Sequence, residues 1–415
     1  MNRIKKAVCI LVLGLIALNL TACAPKVQAA DLMAGITGNK VQGKAADDRF
    51  IGNTADFSLE LFKRSVAEKE NSLVSPLSVL LALAMTANGA DSETLAEMEA
   101  VLGKDISLED LNEYLYTYVK HLPSEKNSRL SIANSIWFRD DENRFTVERD
   151  FLQKNADYYN AAAYKAPFDN QTLKDINTWV QEKTENMIDK ILDEINEDAV
   201  MYLINAILFE AEWQQVYNKA NIREGEFTAV DGDKEQAEFM YSEENIYLES
   251  DQAAGFIKPY AGNYSFAALL PSEGIAIEDF IQGLTGDEFM HILDSAENTA
   301  VNAGLPKFSY AYTIQMNEVL KDMGMPLAFS AKDADFSRLG RSSRGNLFIG
   351  EVLHKTFIQV DERGTKAGAV TKVEIRDEAY YEVKNVVLDR PFIYAIIDND
   401  SKLPLFIGSV MQIAE

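Results

Sequence analysis

The sequence has almost no cysteine. Only Cys9 and Cys23 occur among its 415 residues, and both lie near the N-terminus. The rest of the chain has no thiol, which excludes disulfide bonds, a cysteine nucleophile and cysteine-ligated metal from the folded part. Such a protein must rely on its apolar core, and a hydrophobic content of 47% is enough to build a large one.

Histidine and catalytic motifs are also scarce. The three histidines, His121, His291 and His354, are far apart, and none has metal-ligand spacing to another candidate ligand. The patterns HExxH, GxSxG and GxGxxG and the P-loop are absent. His354 lies in the strand-like run VLHKTFIQV, so we interpret it as a buried structural residue. Because no catalytic pair can be nominated, we predict a protein that is not an enzyme and binds no metal or cofactor.

The sequence lacks the positive charge that nucleic-acid binding requires. It has 40 lysines and arginines against 65 aspartates and glutamates, which gives a formal net charge of −25. An acidic surface repels phosphate backbones, so we predict that the protein does not bind nucleic acid.

Residues 1–22 have the pattern of an export signal. Arg3, Lys5 and Lys6 precede an apolar stretch that is too short to span a membrane. Residues 20–23, LTAC, resemble the bacterial lipobox, whose cysteine is lipidated and becomes the new N-terminus. This predicts an exported protein anchored to the bacterial membrane or surface by a lipid on Cys23, or released from it. A plain secretory signal with an accidental cysteine, or an uncleaved anchor, is the alternative.

The rest of the chain has one globular pattern. Residues 23–48 are small and polar and predict a flexible tether, and residues 49–415 predict a single domain. Helical spacing dominates the first half and includes a long amphipathic helix predicted over 173–192. Strand patterns dominate the second half, and the apolar run at 199–216 predicts a strand buried on both faces. We therefore predict an α+β fold with large antiparallel or mixed sheets.

Residues 365–376 alternate strictly between two kinds of side chain. One set has no charge: Thr365, Ala367, Ala369, Thr371, Val373 and Ile375. The other set consists of Lys366, Gly368, Val370, Lys372, Glu374 and Arg376, and four of these six residues are charged. This alternation predicts a strand with one buried face, although the residues that follow, DEAYYEVKN, have the composition of an exposed acidic loop. An ordinary strand with one solvated face would explain the alternation equally well.

Seven blocks of the sequence, in order, are NSLVSPLSVLLALAMTANGADSETLAEM, SIANSIWFR, LINAILFEAEWQ, LPKFSYAYTIQMNEVLKDMGM, LAFSAKDADFSRL, LFIGEVLHKTFIQVDERGTKAGAVT and DRPFIYAIIDNDSKLPLFIGSVMQI. Together they resemble the serpins, the serine-protease-inhibitor superfamily, over about residues 50–413. The resemblance implies a large central mixed β-sheet, two further sheets, about eight to nine helices and an exposed reactive-centre loop. It also implies a monomer that traps serine proteases covalently, because the cleaved loop, at about 362–385, inserts as a new strand into the central sheet.

The resemblance assigns roles to particular residues. The loop hinge comprises Glu362, Gly364, Thr365, Lys366, Ala367, Gly368 and Ala369. Residues that would control sheet opening are Ser75, Ser78, Asn205, Trp213, Lys307 and His354. Lys307 would pair with Glu362, and Ser75, Ser78, Asn205 and His354 would form a polar cluster under the sheet. This sequence departs from the family at Lys366, Gly368 and Val370, all in the outward set, which affects the expected rate of insertion more than its possibility.

The resemblance also implies where the loop is cut. Counted from the hinge side, the residue sixteen after Glu362 is Glu378, which puts the bond at Glu378-Ala379. The typical family spacing from Pro391-Phe392 instead puts the bond after Tyr380, at Tyr380-Tyr381. Arg376 is a third candidate. These residues suit Glu-specific, elastase-like, chymotrypsin-like or subtilisin-like proteases, and Arg376 suits trypsin-like ones. A non-inhibitory serpin that acts as a surface binding protein or as a protease substrate is the alternative function.

Overall fold

The computed structural model describes residues 27–123, 127–140, 145–196, 199–343, 345–365 and 383–413. These ranges contain nine α-helices: α1 (Asp48–Ser65), α2 (Pro76–Ala87), α3 (Ser92–Leu102), α4 (Leu108–His121), α5 (Arg149–Tyr158), α6 (Asn170–Lys183), α7 (Ile277–Gly283), α8 (Gly286–Asp294) and α9 (Asn317–Met323). None of them has the length and apolar content needed to cross a bilayer.

The same ranges contain nineteen strands. They are β1 (Ala30–Asp31), β2 (Ser72–Val74), β3 (Ser128–Arg139), β4 (Phe145–Val147), β5 (Ala162–Ala166), β6 (Met201–Glu212), β7 (Ile222–Thr228), β8 (Lys234–Glu244), β9 (Tyr247–Glu249), β10 (Ala253–Pro259), β11 (Tyr264–Pro271), β12 (Val301–Pro306), β13 (Phe308–Gln315), β14 (Gly340–Ser342), β15 (Glu351–Val360), β16 (Gly364–Thr365), β17 (Lys384–Val387), β18 (Phe392–Asp398) and β19 (Pro404–Val410).

A seven-stranded mixed sheet is the largest element, with the order β1-β5-β3-β6-β16-β15-β13. The pairs β3–β5 and β6–β15 are parallel, and the other neighbours are antiparallel. We call the end of this sheet at Glu212 and Gly364 the hinge end, and the end at Met201 and Glu351 the far end. A six-stranded sheet, β2-β19-β18-β11-β10-β9, and a four-stranded sheet, β17-β12-β8-β7, complete the architecture with a small β14–β4 pair. The predicted α+β fold is confirmed.

Strand β6 shows why the centre of the sheet forms where it does. Its residues are buried on both faces along nearly the whole strand, as the continuous apolar run predicts. Helix α2 packs below the sheet, and all of its residues from Pro76 to Ala87 are buried. It begins at a proline in its first turn, where the missing N–H has no intrahelical partner to lose.

The helix predicted over residues 173–192 is too long. Helix α6 ends at Lys183, because Glu185 and Asn186 adopt positive φ angles of 50° and 63° that a right-handed helix cannot contain. The apolar residues beyond this break, Ile188, Ile191 and Leu192, nevertheless pack into the same cluster as α6. Their spacing therefore reflects a shared core and not a continuous helix.

The predicted flexible tether is also wrong from residue 27 onwards. Strand β1 pairs with β5, with Ala30 opposite Lys165. The backbone N–H groups of Gln28 and Ala29 donate to one carboxylate oxygen of Asp175, at 3.0 and 2.7 Å. Composition cannot reveal such an attachment, because the segment bonds through its backbone and its partner lies in α6, about 146 residues away.

Candidate functional site

Two of the hinge residues, Gly364 and Thr365, already lie in the central sheet. Strand β16 lies between β6 and β15, with Gly364 opposite Glu212 and Thr365 opposite both Ala211 and Val360. Gly364 approaches its neighbour so closely that a Cβ would lie 2.1 Å from the carbonyl oxygen of Ala211. Glycine is therefore required where the chain enters the sheet.

Toward the far end the sheet is closed in the described part of the chain. Strands β6 and β15 pair directly over five residue pairs, from Tyr202 with Glu351 to Ala206 with Lys355. The gap between β6 and β15 is thus filled at the hinge end by two residues of the loop and is absent toward the far end.

Thr365 faces the protein core. Its side chain is 3% exposed, and its hydroxyl lies 2.6 Å from the hydroxyl of Tyr260. The Tyr260 ring stacks on Trp213 with a centroid distance of 4.4 Å and an interplanar angle of 8°. Since side chains alternate along a strand, the inward position of Thr365 fixes which residues of an extended strand would face the core.

Trp213 and its neighbours hold the backbone that precedes β16. The indole N–H of Trp213 donates to the carbonyl oxygen of Asp361 at 2.9 Å, and its backbone N–H donates to the carbonyl of Arg363 at 2.8 Å. The backbone N–H of Tyr217 donates to the carbonyl of Glu362 at 3.0 Å. The carbonyl groups of three consecutive residues that lead into β16 are therefore positioned by Trp213 and Tyr217.

Lys307 and Glu362, which the family resemblance brings together, form an ion pair of 2.8 Å. Lys307 also contacts Glu238 of β8 at 3.1 Å. This partner was not predicted. The neighbouring ammonium lowers the pKa of the Glu362 carboxyl. Because about a quarter of each of the two side chains, Lys307 and Glu362, is exposed, the ion pair positions the hinge more than it stabilises the fold.

Four predicted residues meet under the centre of the sheet. The Asn205 amide donates to the Ser78 carbonyl at 3.0 Å and to the Ser78 hydroxyl. The Ser75 hydroxyl donates to the Leu405 carbonyl at 2.7 Å, which ties α2 to β19. Asn134 of β3 joins this cluster as an acceptor of the Asn205 amide at 2.5 Å. It was missed because one asparagine in an apolar strand does not identify its partner.

His354 connects β15 to this cluster in a defined tautomer. The backbone N–H of Ser75 donates to His354 Nε2 at 3.1 Å, so Nε2 is an acceptor and the ring proton is on Nδ1. Nδ1 then donates to Asn205 Oδ1 at 2.9 Å. Complete burial lowers the pKa of His354 to about 3, so the ring is neutral at physiological pH. The bond from His354 to Asn205 joins β15 to β6 across the line where a new strand would enter.

A buried ion pair behind Trp213 was not predicted at all. Lys258 of β10 is 1% exposed, and its ammonium lies 2.6 Å from the carboxylate of Glu244. The same ammonium lies 4.2 Å from the ring centroid of Tyr217 and 5.4 Å from that of Trp213. A lysine within the strand-like run GFIKP is the one sequence signal that could have indicated it, since buried lysines are nearly always paired.

The remaining predicted site residues lie outside the described ranges. They are the hinge residues Lys366, Ala367, Gly368 and Ala369, the candidate bond residues Glu378, Ala379, Tyr380, Tyr381 and Arg376, and the lipidation residue Cys23. The description resumes at Val383, and the chain then enters the four-stranded sheet, where Lys384 pairs with Val301.

The comparison with protein families identifies this arrangement. The serpin family model, described as serine protease inhibitor, matches residues 52–413. This chain is a serpin. The resemblance carried by the seven sequence blocks is therefore confirmed, and serpins in general inhibit serine proteases and are not enzymes.

Solved structures and curated relatives agree with the assignment. The crystal structure of a thermophilic serpin, tengpin, in the native state is 58% identical, with a TM-score of 0.90, and covers 93% of this serpin and 100% of that chain. Tengpin in the latent state gives a TM-score of 0.81 at the same identity and covers 90% and 100%. Human neuroserpin is 29% identical over 380 residues, which are 86% of this serpin and 90% of that protein.

Proposed function

We propose that this serpin inhibits serine proteases by covalent trapping, in which the cleaved loop inserts into the central sheet. The observation that carries the proposal is strand β16, because its two residues already lie between β6 and β15 with Thr365 turned inward. Insertion would lengthen this strand and would need no new site of entry.

The register of β16 determines where each inserted residue would lie. Thr365 is opposite Ala211 of β6 and Val360 of β15. Residue 371 lies six residues after Thr365, so the antiparallel registers place it six residues before Ala211 and six before Val360. These positions are Asn205 in β6 and His354 in β15, which pair with each other in the closed sheet. The two independent registers therefore agree, so one regular strand fits between β6 and β15.

Thr371 belongs to the inward set together with Thr365. It would enter where the bond between His354 and Asn205 must break as β6 and β15 separate. A threonine hydroxyl both donates and accepts hydrogen bonds, so Thr371 would satisfy the polar groups that the separation exposes. The charged side chains of the alternating segment belong to the outward set and would remain in solvent.

The chemistry of trapping is an interrupted acyl transfer. The serine hydroxyl of the protease adds to the carbonyl carbon of the residue before the bait bond, and an ester forms. The peptide bond breaks, and the hydroxyl proton passes through the general base of the protease to the leaving amine. Glu378-Ala379 is the first candidate for this bond, because its distance from the hinge suits insertion, and Tyr380-Tyr381 and Arg376 follow.

The location of the inhibitor forms part of the proposal. The lipobox-like residues 20–23 support export and a lipid on Cys23, which would hold the protein at the bacterial membrane or cell surface. Its targets would then be exported or host serine proteases.

The test is incubation with chymotrypsin-, elastase-, subtilisin-, trypsin- and Glu-specific proteases, followed by a denaturing gel. We expect a band at the summed mass that survives denaturation, and mass spectrometry of the released C-terminal peptide would identify the bait bond. Clean cleavage without such a band for all five proteases would contradict trapping. It would favour the alternative, a non-inhibitory serpin that serves as a binding protein or substrate.

A further inference from the structure

The N-terminal segment leaves the body at a defined place. Asp175, which accepts the backbone N–H groups of Gln28 and Ala29, is itself buried at 3% exposure. Val27 and Ala29 pack against the apolar cluster that α6 forms over the sheet. From residue 27 onwards, the segment is therefore part of the folded body.

The strand registers show that this place is the far end of the sheet. Ala30 is opposite Lys165, and β5 runs parallel to β3, so that Ala166 is level with Arg139. Residues 27–29 continue beyond this level, away from the hinge. The hinge lies at the level of Ala211, ten residues along β6 from Met201, which corresponds to about 33 Å.

Little chain is available between a lipid and the body. Cys23 and Val27 are four residues apart, which permits a covalent reach of at most about 14 Å. A lipid on Cys23 would therefore hold the far end of the sheet close to the membrane surface.

The rest of the surface gives the body little reason to lie on the membrane. Among the described residues, Val383 is the one large apolar side chain that is exposed. Removal of residues 1–22 would make the formal charge three units more negative than −25, and anionic lipids repel such a surface. The covalent anchor is thus the main attraction to the membrane.

We infer that the anchored serpin stands with the far end of its central sheet against the membrane and the hinge end on the opposite side, so that trapping carries the protease toward the membrane. The inference rests on the proposed lipid anchor and on the proposed trapping. The register of β16 places Ile375 opposite Met201 after insertion, and Glu378 follows only three residues later. An acyl-enzyme on Glu378 would therefore lie at the membrane-facing end.

The orientation can be measured by energy transfer. Because the chain has no cysteine after Cys23, a single introduced cysteine can be labelled in the mature lipidated protein. K174C puts a donor on exposed Lys174, next to Asp175, and N385C puts one on exposed Asn385 of β17, near the loop. The proteins are bound to phosphatidylcholine–phosphatidylglycerol vesicles that contain an acceptor lipid, and only the floating fraction is measured.

We expect strong transfer from the Lys174 position and weak transfer from the Asn385 position. Equal transfer, or stronger transfer from the Asn385 position, would overturn the orientation. If the lipid is absent by mass spectrometry, or the protein does not float, the anchor and the orientation fail together. A C23S variant should show no transfer from either position.

The consequence for trapping has its own test. A variant with a long Gly-Ser insertion between Lys26 and Val27 leaves the folded body unchanged and gives the protease room. On vesicles we expect the natural tether to need about threefold more inhibitor per protease than the long one, because crowding raises the insertion barrier and more acyl-enzyme is hydrolysed before it is trapped. In detergent the two should be equal. Equal values on vesicles would overturn membrane-directed trapping, and the absence of a covalent band in detergent would show that the proposed function itself had failed.

Discussion

Replacement of Thr365 by arginine tests the central step of the proposed mechanism. The side chain is 3% exposed between β6 and β15, and its hydroxyl is bonded to Tyr260. An arginine there would place an ionised group in the core beside the Tyr260 phenol. Burial raises the pKa of Tyr260 well above its ordinary value, so the phenol stays neutral and gives the arginine no negative partner. A buried charge without a partner costs several kcal/mol even after the structure relaxes.

The size of the effect follows from competition between insertion and hydrolysis of the acyl-enzyme. The arginine would be expelled from the sheet of the uncleaved protein, so insertion would have to bury it again. If about 3 kcal/mol of the burial penalty appears in the insertion barrier, insertion slows by about a hundredfold. The protease would then complete its reaction before it is trapped. We expect the T365R variant to be cleaved at the same bond as the parent protein and to form little or no covalent complex.

The assay is titration of a protease that the parent protein traps, with the ratio of complex to cleaved inhibitor read from a denaturing gel. The matched control is V370R, which places the same side chain in the outward set. T365S, which keeps the hydroxyl for Tyr260, should also inhibit. If T365R traps protease as efficiently as V370R does, Thr365 does not need to lie in the sheet during trapping and the insertion mechanism is refuted.

Three further predictions concern groups beneath and behind the sheet. The pKa of His354 is about 3 in the folded protein and about 6.5 in the unfolded chain, so its contribution to the free energy of unfolding is complete above pH 6.5 and is lost as the pH falls toward 3. We expect the free energy of unfolding, measured with guanidinium, to fall by about 2 kcal/mol between pH 7 and pH 5. Lys258→Met should destabilise the protein by about 3–5 kcal/mol, because it leaves the Glu244 carboxylate buried and unpaired, and Glu244→Leu in the same chain should restore most of the thermal stability. Thr371→Val should lower the stability of the loop-cleaved protein by about 1–3 kcal/mol and leave the uncleaved protein unchanged, as measured by thermal unfolding of both forms.

Each of these predictions has a control. For the pH effect it is His354→Gln, which removes the buried imidazole and should reduce the pH dependence. For the buried pair, an equally severe loss in the double variant would show that packing and not charge is responsible. For Thr371, equal effects on both forms would show that its hydroxyl does not enter the polar cluster.

The sequence predicted the parts of the fold that depend on local pattern. The continuous apolar run of β6 and the apolar segment of β15 indicate their burial directly, because such runs are typical of strands that are buried on both faces. The four residues of the polar cluster were assigned through the family resemblance, and the structure places Asn205 and His354 within hydrogen-bonding distance.

The parts that could not be predicted depend on partners distant in sequence. The spacing of Ile188 and Ile191 indicated a helix, although a common core with α6 explains it equally well. Residues 27–31 have no apolar period, because their attachment is through backbone groups to Asp175 and β5. Lys258 carries a charge in a strand pattern, and only the packing of β10 near Glu244 shows why the core accepts it.

Strand β12 has a mechanical consequence for the reactive loop. Its first residue, Val301, pairs with Lys384 after the loop, and Lys307, directly after the strand, contacts Glu362 before the loop. The six-residue strand β12 thus sets the distance between the two anchor points of the loop at about 20 Å. The connecting chain from Glu362 to Lys384 has a contour length of about 75 Å. The contour length is thus more than three times the span. In the proposed mechanism, a protease could straighten a bait segment in its cleft while both anchors stay in place, so that tension on the sheet would begin only when the bond is cut.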